Sequence, residues 1–149
     1  ANFFVARSYS DDWMRYKNPQ VSRDIIFNEL YTDWDRDIVL VEGIFDAIRA
    51  YSIGTSIPLL GSTLRVESKL FQQIVKHGSR VYLALDSDAE RKSSSIASNL
   101  MRYGVNTYTL NTRGYEDVAE MPRGVLQQRK EQATVMNTNN YLLQRVRSL

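Results

Sequence analysis

Two stretches decide how this chain folds: Asp37-Ile38-Val39-Leu40-Val41-Glu42-Gly43 and Arg80-Val81-Tyr82-Leu83-Ala84-Leu85-Asp86-Ser87-Asp88. Each is a short apolar run that ends abruptly in carboxylates. Runs of this length, apolar at nearly every position, read as strands buried on both faces. Ile57–Leu60 is a similar run, and Val105–Leu110 resumes a strand-like one. Between the four lie stretches with helical spacing: Ile44, Ala47, Ile48 and Tyr51; then Val66, Leu70, Phe71, Ile74 and Val75; then Ile96, Ala97, Leu100 and Tyr103. Each is expected to set its apolar residues on one helix face. Gly54 and Gly104 follow the first and third helices, where a left-handed terminating residue is expected. The order β-α-β-α-β-α-β predicts an α/β protein with a parallel sheet flanked by helices.

In open sheets of this kind, ligands bind beyond the carboxyl ends of the strands. Those ends are Glu42-Gly43, Gly61-Ser62 and Asp86-Ser87-Asp88, with Asp46 one helical turn past Glu42. Asp117 and Glu120 follow the fourth strand. Two carboxylates about 4 Å apart repel by about 4 kcal/mol at an effective dielectric of about 20, so such a cluster calls for a cation or for protons. An oxygen-only donor set without Cys or His suits Mg2+ or Mn2+. Asp86 and Asp88 would project to the same side of an extended segment and could share an ion. Two structural readings stand beside this one. Asp88 could cap a helix starting near Ala89, and Asp46 could order the turn by bonding to backbone.

At 149 residues, 43% hydrophobic and 24% charged, the chain is sized for one globular domain. No apolar run approaches the ~20 residues of a membrane span, so no membrane partner is expected. The absence of Cys excludes a cysteine-based zinc site, and a single His leaves little material for another kind. That residue, His77, stands beside Gly78 and reads as part of a helix end. Ala1 to Arg7 lack the pattern of a secretory signal, which makes the cytoplasm the expected setting. Net charge is only +2, yet residues 121–149 carry Arg123, Arg129, Lys130, Arg145 and Arg147 against Glu131 alone, a local charge of +4. This tail either approaches phosphates or is simply solvated. Tyr141, Leu142, Leu143 and Val146 share one helix face, so the tail is expected to be helical and able to dock a partner. Trp13, Tyr16 and Trp34 read as base-stacking or as packing residues.

The segment Val41-Glu42-Gly43-Ile44-Phe45-Asp46 resembles the Glu-Gly-x-x-Asp motif of the Toprim domain, and Leu85-Asp86-Ser87-Asp88 resembles its Asp-x-Asp motif. Toprim domains have a Rossmann-like sheet and occur in primases, topoisomerases and some nucleases. Phe45-Asp46-Ala47-Ile48 and Leu59-Leu60-Gly61-Ser62 are similar to DNA primases of the bacterial and phage, DnaG-like, type. Ala89-Glu90-Arg91-Lys92 departs from the Glu-Gly-Glu usual after the second aspartate in topoisomerases. Tyr115-Glu116-Asp117-Val118-Ala119-Glu120-Met121 resembles the primase Lys-Asp-Pro-x-Asp/Glu segment, with Glu116 and Val118 replacing its Lys and Pro. Phe4 to Ser8 and Arg15-Tyr16-Lys17-Asn18-Pro19 resemble the end of a primase N-terminal subdomain. The resemblance thus implies three parts: residues 1–36 as a remnant of that subdomain, 37–121 as the Toprim domain, and 122–149 as a basic helical tail.

The same resemblance implies a nucleotidyltransferase that makes short RNA primers on single-stranded DNA from ribonucleoside triphosphates. Glu42, Asp86 and Asp88 would be catalytic and hold Mg2+ or Mn2+, with Asp117 as a further ligand. Gly43, Asp46 and Gly61 would support them. Arg15, Lys17, Arg23, Arg91 and Lys92 would face template or nucleotide phosphates. Implied partners are a replicative helicase and a separate zinc-binding primase module, in the bacterial host cytoplasm if the protein is phage-encoded. Two further readings use the same carboxylates: a Toprim nuclease that activates water, and a non-catalytic nucleic-acid-binding or assembly module of a replication complex.

Overall fold

The computed structural model describes residues 6–8, 16–17, 22, 24–61 and 63–147. A short antiparallel ladder joins β1 (Ala6–Arg7) to β2 (Tyr16–Lys17), and a single 3-10 turn spans Glu29–Tyr31. The body of the fold follows in the order β3 (Ile38–Val41), α1 (Ile44–Ala50), β4 (Thr55–Pro58), α2 (Lys69–His77), β5 (Val81–Leu83), α3 (Glu90–Arg102), β6 (Thr107–Thr109), α4 (Arg123–Glu131), β7 (Thr134–Val135) and α5 (Thr138–Arg147). The large sheet runs β4-β3-β5-β6-β7. Its first four strands are parallel, as the alternating pattern predicts, and β7 adds an antiparallel edge that makes the whole sheet mixed. Residues 122–149 are helical in α4 and α5, but between them the chain returns to the sheet.

Each residue of β3 is fully buried, which explains the unbroken apolar run. Ile38 and Leu40 face one side of the sheet, packing with Leu83 and with Phe71 of α2 and Leu100 of α3. Val39 and Val41 face the other, with Tyr82, Ala47 and Ala50 of α1, and Leu126 of α4. The sheet is therefore covered on both faces. β3 connects outward through α1 to β4, whereas β5 connects through α3 to β6 in the opposite direction. Strand order reverses between β3 and β5, and a crevice opens there at the carboxyl ends.

Two helix-level expectations need correction. The apolar residues of α1 do not form one buried face: Ala47 and Ala50 are buried, whereas Ile48 and Tyr51 are 68% and 57% exposed. The small alanines let α1 lie close against β3 and β4, and the larger side chains point away. Gly54 is not a left-handed helix terminator, since its φ is not positive. It is required for space instead, because a Cβ there would lie 2.6 Å from the Asp37 carbonyl oxygen and 2.8 Å from Val39 Cγ2. Gly104 does adopt the expected left-handed conformation, with φ 77°. Gly78 does the same at the end of α2, with φ 62°, while His77 before it stacks on Trp34 at 5.2 Å.

Candidate active site

Leu40 of β3 lies opposite Leu83 of β5, so the segments that leave these strands emerge side by side. Glu42, Asp86 and Asp88 consequently line one open cleft of about 600 Å³ at the switch point, together with Arg91 and Lys92. Glu42 is half-buried. Lys92 Nζ donates to its Oε2 at 2.7 Å, while its Oε1 is buried without a hydrogen-bond partner. Asp86 Oδ1 is likewise buried and unpartnered. Burial, and then the charges of Asp46, Glu42, Asp88 and Asp117, push the Asp86 carboxyl up to about 6. Carboxylates from three separate segments, 42–46, 86–88 and the one bearing Asp117, therefore act on one another as a single electrostatic site.

Asp88 is exposed and does not cap α3: the cap position is Ala89, with no side-chain bond, and the Ala89 amide donates to the Asp86 carbonyl at 2.9 Å. Its carboxylate thus stays with the cleft. Asp46 takes the backbone-ordering role. One oxygen accepts from the Gly43 amide at 2.9 Å and the other from the Ala119 amide at 2.9 Å. Its pKa is raised by burial, held back by these two bonds, and raised further by Asp117 and Glu42. The bracket fastens the turn after Glu42 to the irregular segment that bears Asp117. Arg49 adds a second tie, donating from Nε to the Ala119 carbonyl at 3.1 Å. Asp117 itself accepts from the Glu120 amide at 3.0 Å. Gly43 leaves room for the bracket, because a Cβ there would stand 3.2 Å from Asp46 Oδ2.

Behind Glu42, Leu60 and Gly61 turn the chain with φ 54° and 76°, a left-handed pair in which Leu60 is the strained member. The turn points the Leu60 amide at the Glu42 carbonyl, 3.0 Å away. Gly61 borders a neighbouring cleft of about 840 Å³ that also includes Leu59, Leu64 and Arg65. Arg15, Arg23, Trp13 and Ser62 lie outside the described residues, and of Lys17 only the backbone, in β2, is described. Lys130, one of the basic residues of the C-terminal stretch, is committed elsewhere. It pairs with Asp37 at 2.7 Å and bonds to the Ile53 carbonyl, far along the strands from the carboxyl edge.

The Lys92–Glu42 pair and the Asp46–Ala119 bond join residues far apart in the chain, and no local spacing announces either. Among the described residues no three acidic or His side chains close around a common ion position. That does not disqualify Mg2+, which is commonly held by one or two carboxylates with water and substrate phosphates filling the rest. Two unpartnered buried carboxylate oxygens and an oxygen-only donor set fit such an ion.

A mostly parallel α/β sheet thus carries a glutamate after one strand and an Asp-x-Asp after its neighbour at the switch point, the arrangement that the resemblance of these two segments to Toprim motifs implies. No family model matches the chain, and no curated protein matches it. Solved structures do. The zinc-binding and RNA polymerase domains of the Aquifex aeolicus primase superpose with a TM-score of 0.71 at 21% identity, covering 91% of this chain and 38% of that one. The RNA polymerase domain of Mycobacterium tuberculosis primase DnaG gives 0.66 at 15% identity, covering 89% and 51%. The chain has the fold of a DnaG-type primase RNA polymerase domain, Toprim core included, and spans about two fifths to one half of these neighbours.

Proposed function

We propose that this chain is a catalytic part of a DNA primase, joining ribonucleotides into short RNA primers on single-stranded DNA. One observation carries the reading. In a fold shared with primase RNA polymerase domains, Glu42, Asp86 and Asp88 line one cleft at the switch point, with two buried carboxylate oxygens unpartnered. The 3′-hydroxyl oxygen of one ribonucleotide attacks the α-phosphorus of an incoming triphosphate, its proton passing to Glu42 as general base or to solvent, and the new P–O bond forms as the bond to pyrophosphate breaks. Glu42, Asp86 and Asp88, with Asp117 beside them, would hold Mg2+ or Mn2+. Such an ion, when bound, neutralises phosphate charge and eases ionisation of the attacking hydroxyl.

The protein's own contribution is mostly positional. Asp46 keeps the Glu42 turn and the Asp117 segment at fixed separation, and Leu60 steadies the Glu42 backbone. Arg91, exposed at the cleft rim, would meet phosphates; Arg15, Lys17 and Arg23 would contact template or nucleotide, as the resemblance of their segment to primases implies. The Aquifex chain carries a zinc-binding domain beside its polymerase domain, and an equivalent module is proposed as a partner. On α5, Leu142, Leu143 and Val146 are at least half exposed and form the surface proposed for a helicase.

The test incubates the protein with single-stranded DNA, ribonucleoside triphosphates and Mg2+ or Mn2+. Short RNA products that Asp86→Asn reduces at least about 100-fold would support the reading. Cleaved DNA without RNA would replace it with a nuclease, and DNA binding with neither product would leave a non-catalytic module.

A further inference from the structure

Among the described residues, one ammonium stands in direct contact with a carboxylate of the acidic cleft. Lys92, on the first turn of α3, reaches across the switch point to Glu42 at the end of β3, with side chains 25% and 20% exposed. The contact is short, at 2.7 Å, and it occupies one Glu42 oxygen while the other remains buried and unpartnered. Lysine suits this place if the contact must break. Its ammonium is a point charge on a flexible stem, unlike the forked, two-point grip of arginine. Glu42 is also the acid that a divalent ion would engage in the reading above, and a second cation at the same carboxylate would be repelled by it.

We infer that Lys92 is a built-in counter-ion, which neutralises Glu42 until a divalent cation arrives and competes with that cation for the carboxylate. The inference rests on the metal-binding reading of the cleft. A residue that merely staples α3 to β3 would affect stability and leave metal affinity alone, so the two roles separate in a binding measurement.

Mn2+ is titrated into the protein without nucleotide, and free ion is read by electron paramagnetic resonance. Lys92→Met should bind Mn2+ about three- to tenfold more tightly than the natural chain, the range set by one partly buried ion pair. Lys92→Arg should stay within about twofold. Arg113→Met removes the same charge from the same sheet edge but from an exposed pair with Glu90, and should also stay within about twofold. If Lys92→Met does not fold, Lys92→Gln carries the comparison, since it keeps a donor while losing the charge. Unchanged or weaker Mn2+ binding in the neutral variants overturns the inference while leaving the metal site standing. Equal tightening by Arg113→Met also overturns it, in favour of general electrostatics. If the natural chain binds no Mn2+, or Asp86→Asn binds it equally well, the metal reading itself fails and takes this inference with it.

Discussion

At the scale of single residues, Asp86 carries the largest electrostatic cost in the cleft. Its carboxyl is pushed up to about 6, by burial first and then by Asp46, Glu42, Asp88 and Asp117. A raised acid binds its proton more tightly folded than unfolded, so stability from this group is full below pH ~4 and is lost as pH rises through about 6. Without divalent ions at pH 8 the whole penalty is present. Asp86→Asn should then be more stable than the natural chain by about 1–2 kcal/mol, after allowance for solvent screening, and the difference should vanish near pH 4. Urea unfolding at the two pH values with EDTA present reads this directly. Adding Mg2+ at pH 8 should raise the melting temperature of the natural chain and leave that of Asp86→Asn nearly unmoved. Asp46 behaves differently, because both its oxygens accept backbone amides. Asp46→Asn keeps one acceptor and turns a donor toward the other amide, which should cost about 1–3 kcal/mol. It should also speed hydrogen exchange at the Ala119 amide, whereas an Asp46 role confined to catalysis would leave that exchange unchanged.

At the scale of elements, the close approach of α1 to the sheet rests on small residues. Ala47 and Ala50 face β3, and Gly54 passes so near Asp37 that any side chain there would meet backbone. Gly54→Ala should therefore destabilise by about 2–3 kcal/mol, as overpacking does where the neighbour cannot yield. Gly124 is the contrasting case: it lies in the first turn of α4, its φ is not positive, and a Cβ would meet nothing within 4 Å. Gly124→Ala should stabilise by about 0.4–1 kcal/mol, and thermal melts of the two variants side by side test both signs. These glycines also mark what sequence could convey. The strands β3 and β5 were legible because burial on both faces demands continuous apolar runs, and Glu42, Asp86 and Asp88 because carboxylates at neighbouring strand ends need a reason. Gly54 looked like a helix end, since sequence shows that a glycine is needed but not whether conformation or space requires it. Periodicity likewise placed Ile48 and Tyr51 on a buried face, although α1 packs through its alanines. Lys92 against Glu42 and Asp46 against Ala119 were hidden because only the folded sheet makes them neighbours.

At the scale of the whole molecule, the site lies between β3 and β5, which β4 and β6 keep interior, and the sheet is finished on the β6 side. That finishing is done by the last part of the chain. Residues Thr134 and Val135 of β7 pair with Tyr108 and Thr109 of β6, and the Met136 amide continues the ladder to the Thr107 carbonyl at 2.8 Å. Met136 is 5% exposed and joins the core face shared by α2 and α3, with Tyr141 of α5 packed against it. Two exposed strand residues offer no periodic signal, so a basic tail was all the sequence could suggest there. Removing residues 132–149 should uncover the edge of β6 and take Met136 out of the core, at a cost of about 2–5 kcal/mol. The same truncation leaves Glu42, Asp86, Asp88 and Lys92 in sequence and lies outside the acidic cleft. The truncated chain should therefore show a lower urea midpoint and concentration-dependent association through the bared strand, while Mn2+ affinity measured well below that midpoint stays within about twofold of the full chain. A loss of Mn2+ binding by the still-folded truncation would mean instead that α5 or β7 holds the switch-point crevice in shape, and that the C-terminal segment belongs to the site as well as to the sheet.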